Sequence, residues 1–310
     1  MSIKSPSSSP LLRNGFPPSP AWRERMKDVI PIATVCIAIL VFWYLAAIPM
    51  NAVVTQPKID AAGGGLYNTL AHSWNHDRPV LPAPHQVAQE IWKSVFIVAP
   101  WKVKSLIYHL WITLSSTLVG FVLGSLLGIA LAVGIVHVRS LDKSLMPWII
   151  ASQTIPILAI APMLIVVLGK TGLPDIFTKA SISMYLCFFP VAIGMVKGLR
   201  SPDILQLDLM RTYNASAAQV LWKLRFPSAM PFLFTSLKVS VAIALTGAIV
   251  AELPTGAVSG IGARLLQGSY YGQTLQIWAA LFVAAFAAAG LVWMISAFER
   301  MSATRMGVKP

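Results

Sequence analysis

Nucleotide binding is the first chemistry that the residues suggest, at a Gly-Lys-Thr triplet. A phosphate-binding loop needs a glycine, four residues, and then Gly-Lys-Ser/Thr, because successive backbone N–H groups must surround the phosphates. Gly169, Lys170 and Thr171 supply the second half of this pattern, but Leu164 stands where the first glycine is required. The chain is therefore not expected to bind ATP through this motif.

A metal site is the second possibility, at two histidines in a polar stretch. His72 and His76 are four residues apart and could share one face of a helix, as metal ligands do. Asp77 is the single carboxylate beside them, and nothing else nearby completes a ligand set. A solvated loop is the default expectation for this stretch.

Hydrolysis and ion-coupled transport would need reactive side chains inside the apolar segments. An intramembrane hydrolase needs a nucleophile that faces a base, yet His109 and His137 lie near segment ends without evident partners. An ion-coupled carrier needs carboxylates near the bilayer midplane, and Glu252 stands at the outer end of its segment. These gaps leave the energy source unassigned and point to an external motor.

The composition assigns the chain to helical membrane proteins. Of its 310 residues 56% are hydrophobic and 11% are charged, with a mean hydropathy of +0.70. Soluble domains carry about 25% charged residues, so a single aqueous globule is excluded. The net charge of +13 has a topological explanation, since no nucleic-acid-binding module is found. The predicted fold is an all-α polytopic membrane bundle.

About six transmembrane helices are predicted, each long enough to cross a hydrocarbon core of about 30 Å. A signal peptide is the less favoured alternative for the first, because the run is long and no cleavage site follows it. Lys and Arg are concentrated on the side of the amino terminus, which places both termini in the cytoplasm. The predicted spans are 29–50, 106–136, 146–168, 177–198, 229–252 and 275–298.

The remaining organisation follows from these spans. An interfacial helix is predicted in the outer segment, because Val87, Ile91, Val95 and Val98 recur at helical spacing. The predicted parts are a disordered cytoplasmic tail at 1–28, the first transmembrane helix at 29–50, a periplasmic segment at 51–105, a core at 106–300 and a cytoplasmic tail at 301–310.

Small residues at spacing four mark one face of the second span. Gly120, Gly124, Gly128 and Ala132 allow another helix to approach closely, which is how helices pack when lipid provides no hydrophobic drive. The stripe is either a contact between subunits or ordinary packing within the bundle.

A long polar break at 199–231 is the strongest functional signal. It predicts a short helix, a break at Asn214, and a second helix that Ser216 caps and that runs to Phe226. Asn tolerates the left-handed conformation needed between two short helices. Leu209, Met210 and Tyr213 give the first helix an apolar face suited to a groove on a partner protein. The alternative is an amphipathic helix lying on the inner leaflet.

At these residues the sequence resembles the permease subunits of binding-protein-dependent ABC importers. The inner loop of that family carries Glu-Ala-Ala, three residues and Gly, and closes later with a Leu-Pro-like pair. The corresponding residues here are Asp208 for the Glu, Leu209 and Met210 for the alanines, Asn214 for the Gly, and Phe226 with Pro227 for the close. Prolines at 227 and 231 are expected to end the segment.

Further motifs narrow the resemblance to the branch for nitrate, sulfonate, taurine and thiamine precursors. They lie before span two, in span three and after span five, and the resemblance covers about residues 81–300. The residues concerned are Leu81 to Pro84, Gln153 to Pro156, Ala161 and Pro162, Ala251 and Glu252, and Gly260 to Gly262.

The resemblance implies a type I importer in the bacterial inner membrane. Two permease chains form the pore, ATPase subunits bind beneath them through coupling helices, and a soluble substrate-binding protein docks outside. ATP is then bound by the partner ATPase, and this chain is a transport subunit without a cofactor or a catalytic site. The implied coupling residues are Asp208, Leu209, Met210, Arg211, Tyr213, Asn214, Ala215, Ser216 and Pro227.

Polar residues within the spans are candidates for the substrate pathway. Those of span three stand beside Pro156, where a kinked helix exposes carbonyl groups to a cavity. Lys238 is expected to extend toward the inner surface, and Arg264 either meets the binding protein or is a rim charge. Ser and Thr in spans often bond only to their own backbone, so both readings stay open. The candidates are Ser152, Gln153, Thr154, Ser240, Thr246 and Glu252.

The expected substrate is a small polar solute such as a sulfonate, nitrate, taurine or a pyrimidine of the thiamine-precursor type. The expected partners are the ATPase subunits, a second permease copy, the binding protein and membrane lipid. A stand-alone secondary transporter or channel, and a membrane scaffold without transport, are the alternatives.

Overall fold

The computed structural model describes residues 21–61, 63–254 and 259–305. These residues form α-helices and contain no strand, which confirms the all-α prediction. Two π-helical turns, Lys93–Ile97 and Leu221–Arg225, interrupt the series. The helices are α1 Ala21–Ala61, α2 Leu66–Trp74, α3 Pro84–Trp92, α4 Leu106–His137, α5 Arg139–Ser152, α6 Ile157–Gly169, α7 Asp175–Leu199, α8 Ile204–Thr212, α9 Ala217–Val220, α10 Phe226–Glu252, α11 Ile261–Tyr270 and α12 Thr274–Arg305.

Five helices in the described residues are long and apolar enough to cross a membrane, and the bent pair of α5 and α6 makes a sixth if the two form one span. The third predicted span is this pair, since α5 and α6 meet at an angle of 101°. Pro156 stands at the break, where it lacks an N–H and restricts Ile155 to extended conformations. The span is therefore sharply bent rather than continuous.

The terminal helices are longer than predicted. Helix α1 begins at Ala21, so residues 21–28 of the predicted tail are helical, and it continues past residue 50 to Ala61. Helix α12 continues to Arg305. Residues 1–20 and 306–310 lie outside the described residues. Helix α1 contains Pro31, Pro49 and Pro57, and none of them ends it.

The small-residue stripe packs within the chain, on α7. A side chain at Gly120 would place its Cβ 2.5 Å from the carbonyl oxygen of Ala180, and one at Gly124 would lie 2.8 Å from that of Met184. Only a hydrogen fits at these positions, so the backbones of α4 and α7 lie in direct contact. The stripe therefore serves packing of the bundle, the second of the two alternatives.

Helix α10 covers another side of α7 and reaches α12. The Ser183 hydroxyl donates a hydrogen bond to the Ala244 carbonyl oxygen at 2.8 Å, which joins α7 to α10. Lys238 on α10 forms an ion pair with Glu299 on α12 at 2.5 Å. The sequence did not predict this partner, which neutralises the partly buried ammonium group of Lys238.

The outer segment after α1 is a packed helical hairpin, so the expected solvated loop is wrong. Asn51 is fully buried and donates through Nδ2 to the carbonyl oxygens of Ser73 and Leu81, both at 2.9 Å. Its Oδ1 accepts from the N–H groups of Val80 and Leu81 at 2.8 and 3.0 Å. The buried Asn51 amide thus joins α1 to α2 and to the loop that follows α2.

The predicted interfacial helix forms as α3 and the π-helical turn Lys93–Ile97. Its apolar spacing is directed inward, since Ile91 and Val95 pack against a buried cluster that includes Leu106, Ile261 and Ala280. The helix prediction is confirmed. The apolar face packs on α11 and α12 and is not free to lie on a membrane.

Candidate functional site: an inner coupling segment and an outer polar cluster

The polar break begins with a short helix, α8, whose amino terminus is capped by two side-chain hydrogen bonds. Asp203 accepts a hydrogen bond from the Leu205 N–H at 3.3 Å, and Gln206 reaches back to accept from the Asp203 N–H at 3.2 Å. This reciprocal arrangement pairs two donors that a helix start leaves free. These caps stabilise the start of helix α8, which buries no residue.

Asn214 ends α8 in the predicted conformation. Its φ is 50°, which makes it the one non-glycine residue with a positive φ in the described ranges. The N–H groups of Asn214 and Ala215 donate to the carbonyl oxygens of Arg211 and Met210 at 2.8 and 3.0 Å. The left-handed residue thus turns the chain and pairs the last carbonyls of the helix.

The predicted cap at Ser216 is confirmed, but the predicted end of the second helix is wrong. The Ser216 hydroxyl accepts from the Gln219 N–H at 3.3 Å. The helix then passes through the π-helical turn Leu221–Arg225 into α10, although Pro227 and Pro231 were expected to end it. Pro227 lies just after the π-helical turn, where the altered hydrogen-bond spacing accommodates its missing N–H.

The predicted coupling segment, residues 208–226, exposes apolar side chains of α8 to the surroundings. Leu209 is 56% exposed and Tyr213 is 77% exposed, whereas Met210 is half-buried. Asp208 and Arg211 form an exposed ion pair at 2.9 Å within α8. Because α8 is not buried against the chain's own helices, its apolar face is accessible to another protein.

A polar cluster closes the opposite end of α10. The fully buried Glu252 carboxylate accepts from the Thr113 hydroxyl at 2.9 Å and from the Gly262 N–H at 2.8 Å. The Thr113 oxygen also accepts from the Ile261 N–H at 2.8 Å. These oxygens take up donors at the amino terminus of α11, where a helix leaves its N–H groups free.

His109 completes this cluster. Its Nδ1 accepts from the Gly260 N–H at 3.0 Å, so the proton resides on Nε2, which donates to the Val103 carbonyl oxygen at 2.7 Å. Gly260 has a φ of 123°, and a Cβ there would overlap the Glu252 carboxylate. This contact explains why a glycine is needed at that position.

Lys179 is a buried charge that the sequence argument missed. Its side chain is 2% exposed and contacts Asp175, one helical turn earlier, at 2.6 Å. Both residues line a cavity of about 290 Å³ with Ser115 and Ser116, at the outer ends of α4 and α7. An i, i+4 acid–lysine pair at the start of an apolar span was the available signal.

Comparison with known proteins matches this architecture to a family. Residues 124–308 match the model of the binding-protein-dependent transport system inner membrane component. The chain belongs to this family. The match begins within α4 and runs through α12, so it includes α8 and the Glu252 and Gly260–Gly262 part of the outer polar cluster, and it leaves out α1 to α3 together with His109 and Thr113. The protein is a multi-pass inner membrane permease of the ABC transporter class.

Several named permeases resemble it. A probable ABC transporter permease of Haemophilus influenzae is 30% identical over 66% of this chain and 78% of its own length. The formylaminopyrimidine transport permease ThiX of Halalkalibacterium halodurans is 30% identical over 59% of this chain and 68% of its own length. The putative aliphatic sulfonates transport permease SsuC of Bacillus subtilis is 29% identical over 56% and 62%.

The candidate pathway residues of this permease lie in different surroundings. At the bend between α5 and α6, the hydroxyls of Ser152 and Thr154 donate to carbonyl oxygens in the last turn of α5, both at 2.7 Å, and Gln153 is exposed. Ser240 is fully buried with no hydrogen-bond partner for its hydroxyl, and Thr246 is exposed. The structure does not bring them together.

The outer charges also differ from expectation. Glu252 is sealed inside the polar cluster and does not reach the surface in this conformation. Arg264 on α11 is half-buried, and burial lowers the pKa of its guanidinium while the charge of Glu90 acts in the opposite direction. Arg264 therefore belongs to the packed layer beneath the outer surface and not to an open rim.

Proposed function

We propose that this chain is the membrane-spanning subunit of an ATP-driven importer and is moved by a separate cytoplasmic ATPase through residues 208–226. The observation that carries the proposal is the exposed helix α8, closed by Asn214 in the left-handed conformation. An apolar helix that buries nothing in its own chain is suited to a groove on a partner. Both termini then lie in the cytoplasm with α8.

A continuous helix supports the mechanical part of this proposal. The run Ala217–Glu252 is a single 36-residue helical stretch, which begins at the coupling segment and ends in the outer polar cluster. At 1.5 Å per residue it extends about 54 Å. A displacement of the segment that α8 and Asn214 join to this run is therefore transmitted toward Glu252 and α11 along one helical stretch, as alternating access between two packings requires.

A second copy of the permease is proposed to complete the pathway. An open groove of about 520 Å³ lies between α7 and α10, lined by Phe189, Ile193, Phe232 and Val239, with Lys197 at one end. Such a mostly apolar groove beside the polar residues of α10 is suited to the dimer contact expected of a two-chain pore. A homodimer is the simplest arrangement that supplies the second face.

The proposed substrate is a small polar solute delivered by a soluble binding protein. The related permeases named for formylaminopyrimidine and for aliphatic sulfonates support this class. The outer ends of α4 and α7 present Ser115, Ser116 and the Lys179–Asp175 pair around a cavity, which is chemically suited to a polar solute. ATP hydrolysis is assigned to the partner chain.

Reconstitution tests the proposal. The permease is placed in liposomes with its candidate ATPase and binding protein, and uptake of radiolabelled sulfonate, nitrate and aminopyrimidine is followed. Uptake is expected only with ATP inside and all three components, and an ATPase with its phosphate-binding lysine replaced is the matched control. Uptake by the permease alone under an ion gradient would instead identify a secondary transporter and overturn the proposal.

A further inference from the structure

A cluster of exposed aromatic, aliphatic and lysine side chains borders the outer end of α4. The aromatic and aliphatic members are large and strongly exposed: Phe96 is 67%, Ile97 69% and Trp101 77% exposed. Lysines alternate with them along the chain. The segment, called here the outer belt, consists of Trp92, Lys93, Phe96, Ile97, Trp101, Lys102, Val103, Lys104 and Trp111.

The outer belt is held in shape from its buried side. Ser94 is buried, and its carbonyl oxygen accepts from the buried Ser105 hydroxyl at 3.3 Å, which ties the two ends of the segment together. The His109 ring holds the Val103 carbonyl oxygen at 2.7 Å. With these two carbonyl oxygens paired on the buried side, the segment presents its large apolar side chains outward.

The lysines of the outer belt form no ion pair in the part of the chain that the structure describes. Lys93, Lys102 and Lys104 are all exposed, and the nearby Glu90 accepts its hydrogen bond from Ser94 at 3.2 Å. Lysines this close to the outer end of a span run against the usual charge asymmetry of membrane proteins. Exposed lysines that form no ion pair are available to an external negative charge.

We infer that the outer belt binds anionic phospholipid headgroups of the outer leaflet. Leu106 begins a membrane-crossing helix directly after the segment, so chain continuity places the belt at the level of the headgroups. Tryptophans are favoured at that level, and lysines near it attract acidic lipids. A soluble acidic partner is the less suitable occupant, because it would not account for the exposure of the large apolar side chains.

The test compares lipids on the purified full-length chain in neutral detergent. Its melting temperature is measured with added phosphatidylglycerol and with added phosphatidylcholine, and the difference between the two shifts is the signal. The variant K93Q/K102Q/K104Q is compared with K58Q/K170Q, which removes two exposed lysines outside the belt. Melting temperatures without lipid are expected to be alike, since none of these side chains is buried.

The expected result is a larger shift with phosphatidylglycerol for the natural chain and for K58Q/K170Q, and loss of at least half of that excess in K93Q/K102Q/K104Q. Equal shifts with the two lipids, or an undiminished excess in the triple variant, would overturn the inference. An undiminished excess together with weaker binding of a soluble partner would assign the lysines to a protein contact instead. Trp101→Ala should reduce the shifts with both lipids, because it removes apolar contact and no charge.

Discussion

The Glu252 carboxylate and the Gly262 N–H are joined by a hydrogen bond of 2.8 Å. The bond connects the last residue of α10 to the first turn of α11, across the loop whose motifs place the chain in the nitrate and sulfonate branch. The acidic residue and the glycines of that motif are thus parts of one closed contact. Their role in this conformation is to fasten the outer ends of α4, α10 and α11 to one another.

Replacing Glu252 should destabilise this outer contact in a graded way. Glu252→Ala leaves the Gly262 N–H without this acceptor and removes the bond that joins the Thr113 hydroxyl to α10, and an unpaired buried polar group costs about 1–3 kcal/mol. Glu252→Gln retains one acceptor oxygen and should lose less. The measurement is the midpoint of thermal unfolding in detergent. An alanine variant as stable as the natural chain would show that these bonds do not hold the ends together.

Gly260→Ala should be more damaging than an alanine at a glycine with free space. Its new methyl group would overlap the Glu252 carboxylate, and its φ of 123° is unfavourable for any residue with a Cβ. Gly290→Ala is the matched control, because a Cβ there meets nothing within 4 Å and α12 gains helix propensity. We expect a reduced folded yield and melting temperature for the first variant only. Equal behaviour of the two would contradict the described contact.

The Lys238–Glu299 pair should behave as a coupled unit. The two side chains are 30% and 29% exposed, so removing one leaves a poorly solvated charge between α10 and α12. Lys238→Met and Glu299→Leu should each lower the free energy of unfolding, and the double variant should recover part of the loss. A coupling of about 0.5–3 kcal/mol is the expected size for residues in contact. Strictly additive losses would show that the ion pair contributes nothing.

Asn214 should tolerate glycine and reject a β-branched residue. The left-handed conformation is free of strain for glycine, whereas it costs an ordinary residue about 1–2 kcal/mol. Asn214→Val should therefore distort the turn between α8 and α9, with little effect on the melting temperature of a bundle that α8 does not contact closely. Binding of the ATPase should fall for Asn214→Val and persist for Asn214→Gly. Equal binding of the ATPase by both variants would show that the left-handed turn at Asn214 is not needed for that binding.

Local signals predicted the inner coupling segment well. Asn214 and Ser216 act on backbone groups within a few residues, so their residue types alone determine the turn and the cap. The error at Pro227 has a local cause too, since a π-helical turn immediately before it let the helix continue. That the nine coupling residues bind an ATPase remains a prediction.

Long-range contacts explain what the sequence did not predict. The partners His109 and Gly260 are 151 residues apart, and Thr113 and Glu252 are 139 apart, so no periodicity relates them. The outer hairpin depends in the same way on Asn51, whose amide pairs with backbone groups up to 30 residues away. Candidate pathway residues were chosen by polarity alone, which does not reveal whether a hydroxyl faces a cavity or its own helix.

The central claim is that α8 binds a separate ATPase, and copurification tests it most directly. Leu209→Asp places a charge on the exposed apolar face of α8, and Asp208→Lys reverses the charge beside it; Tyr67→Asp, in the outer hairpin, is the matched control. All three chains should insert into the membrane, and only the two α8 variants should lose the ATPase. Undiminished ATPase recovery with Leu209→Asp and Asp208→Lys would contradict the account.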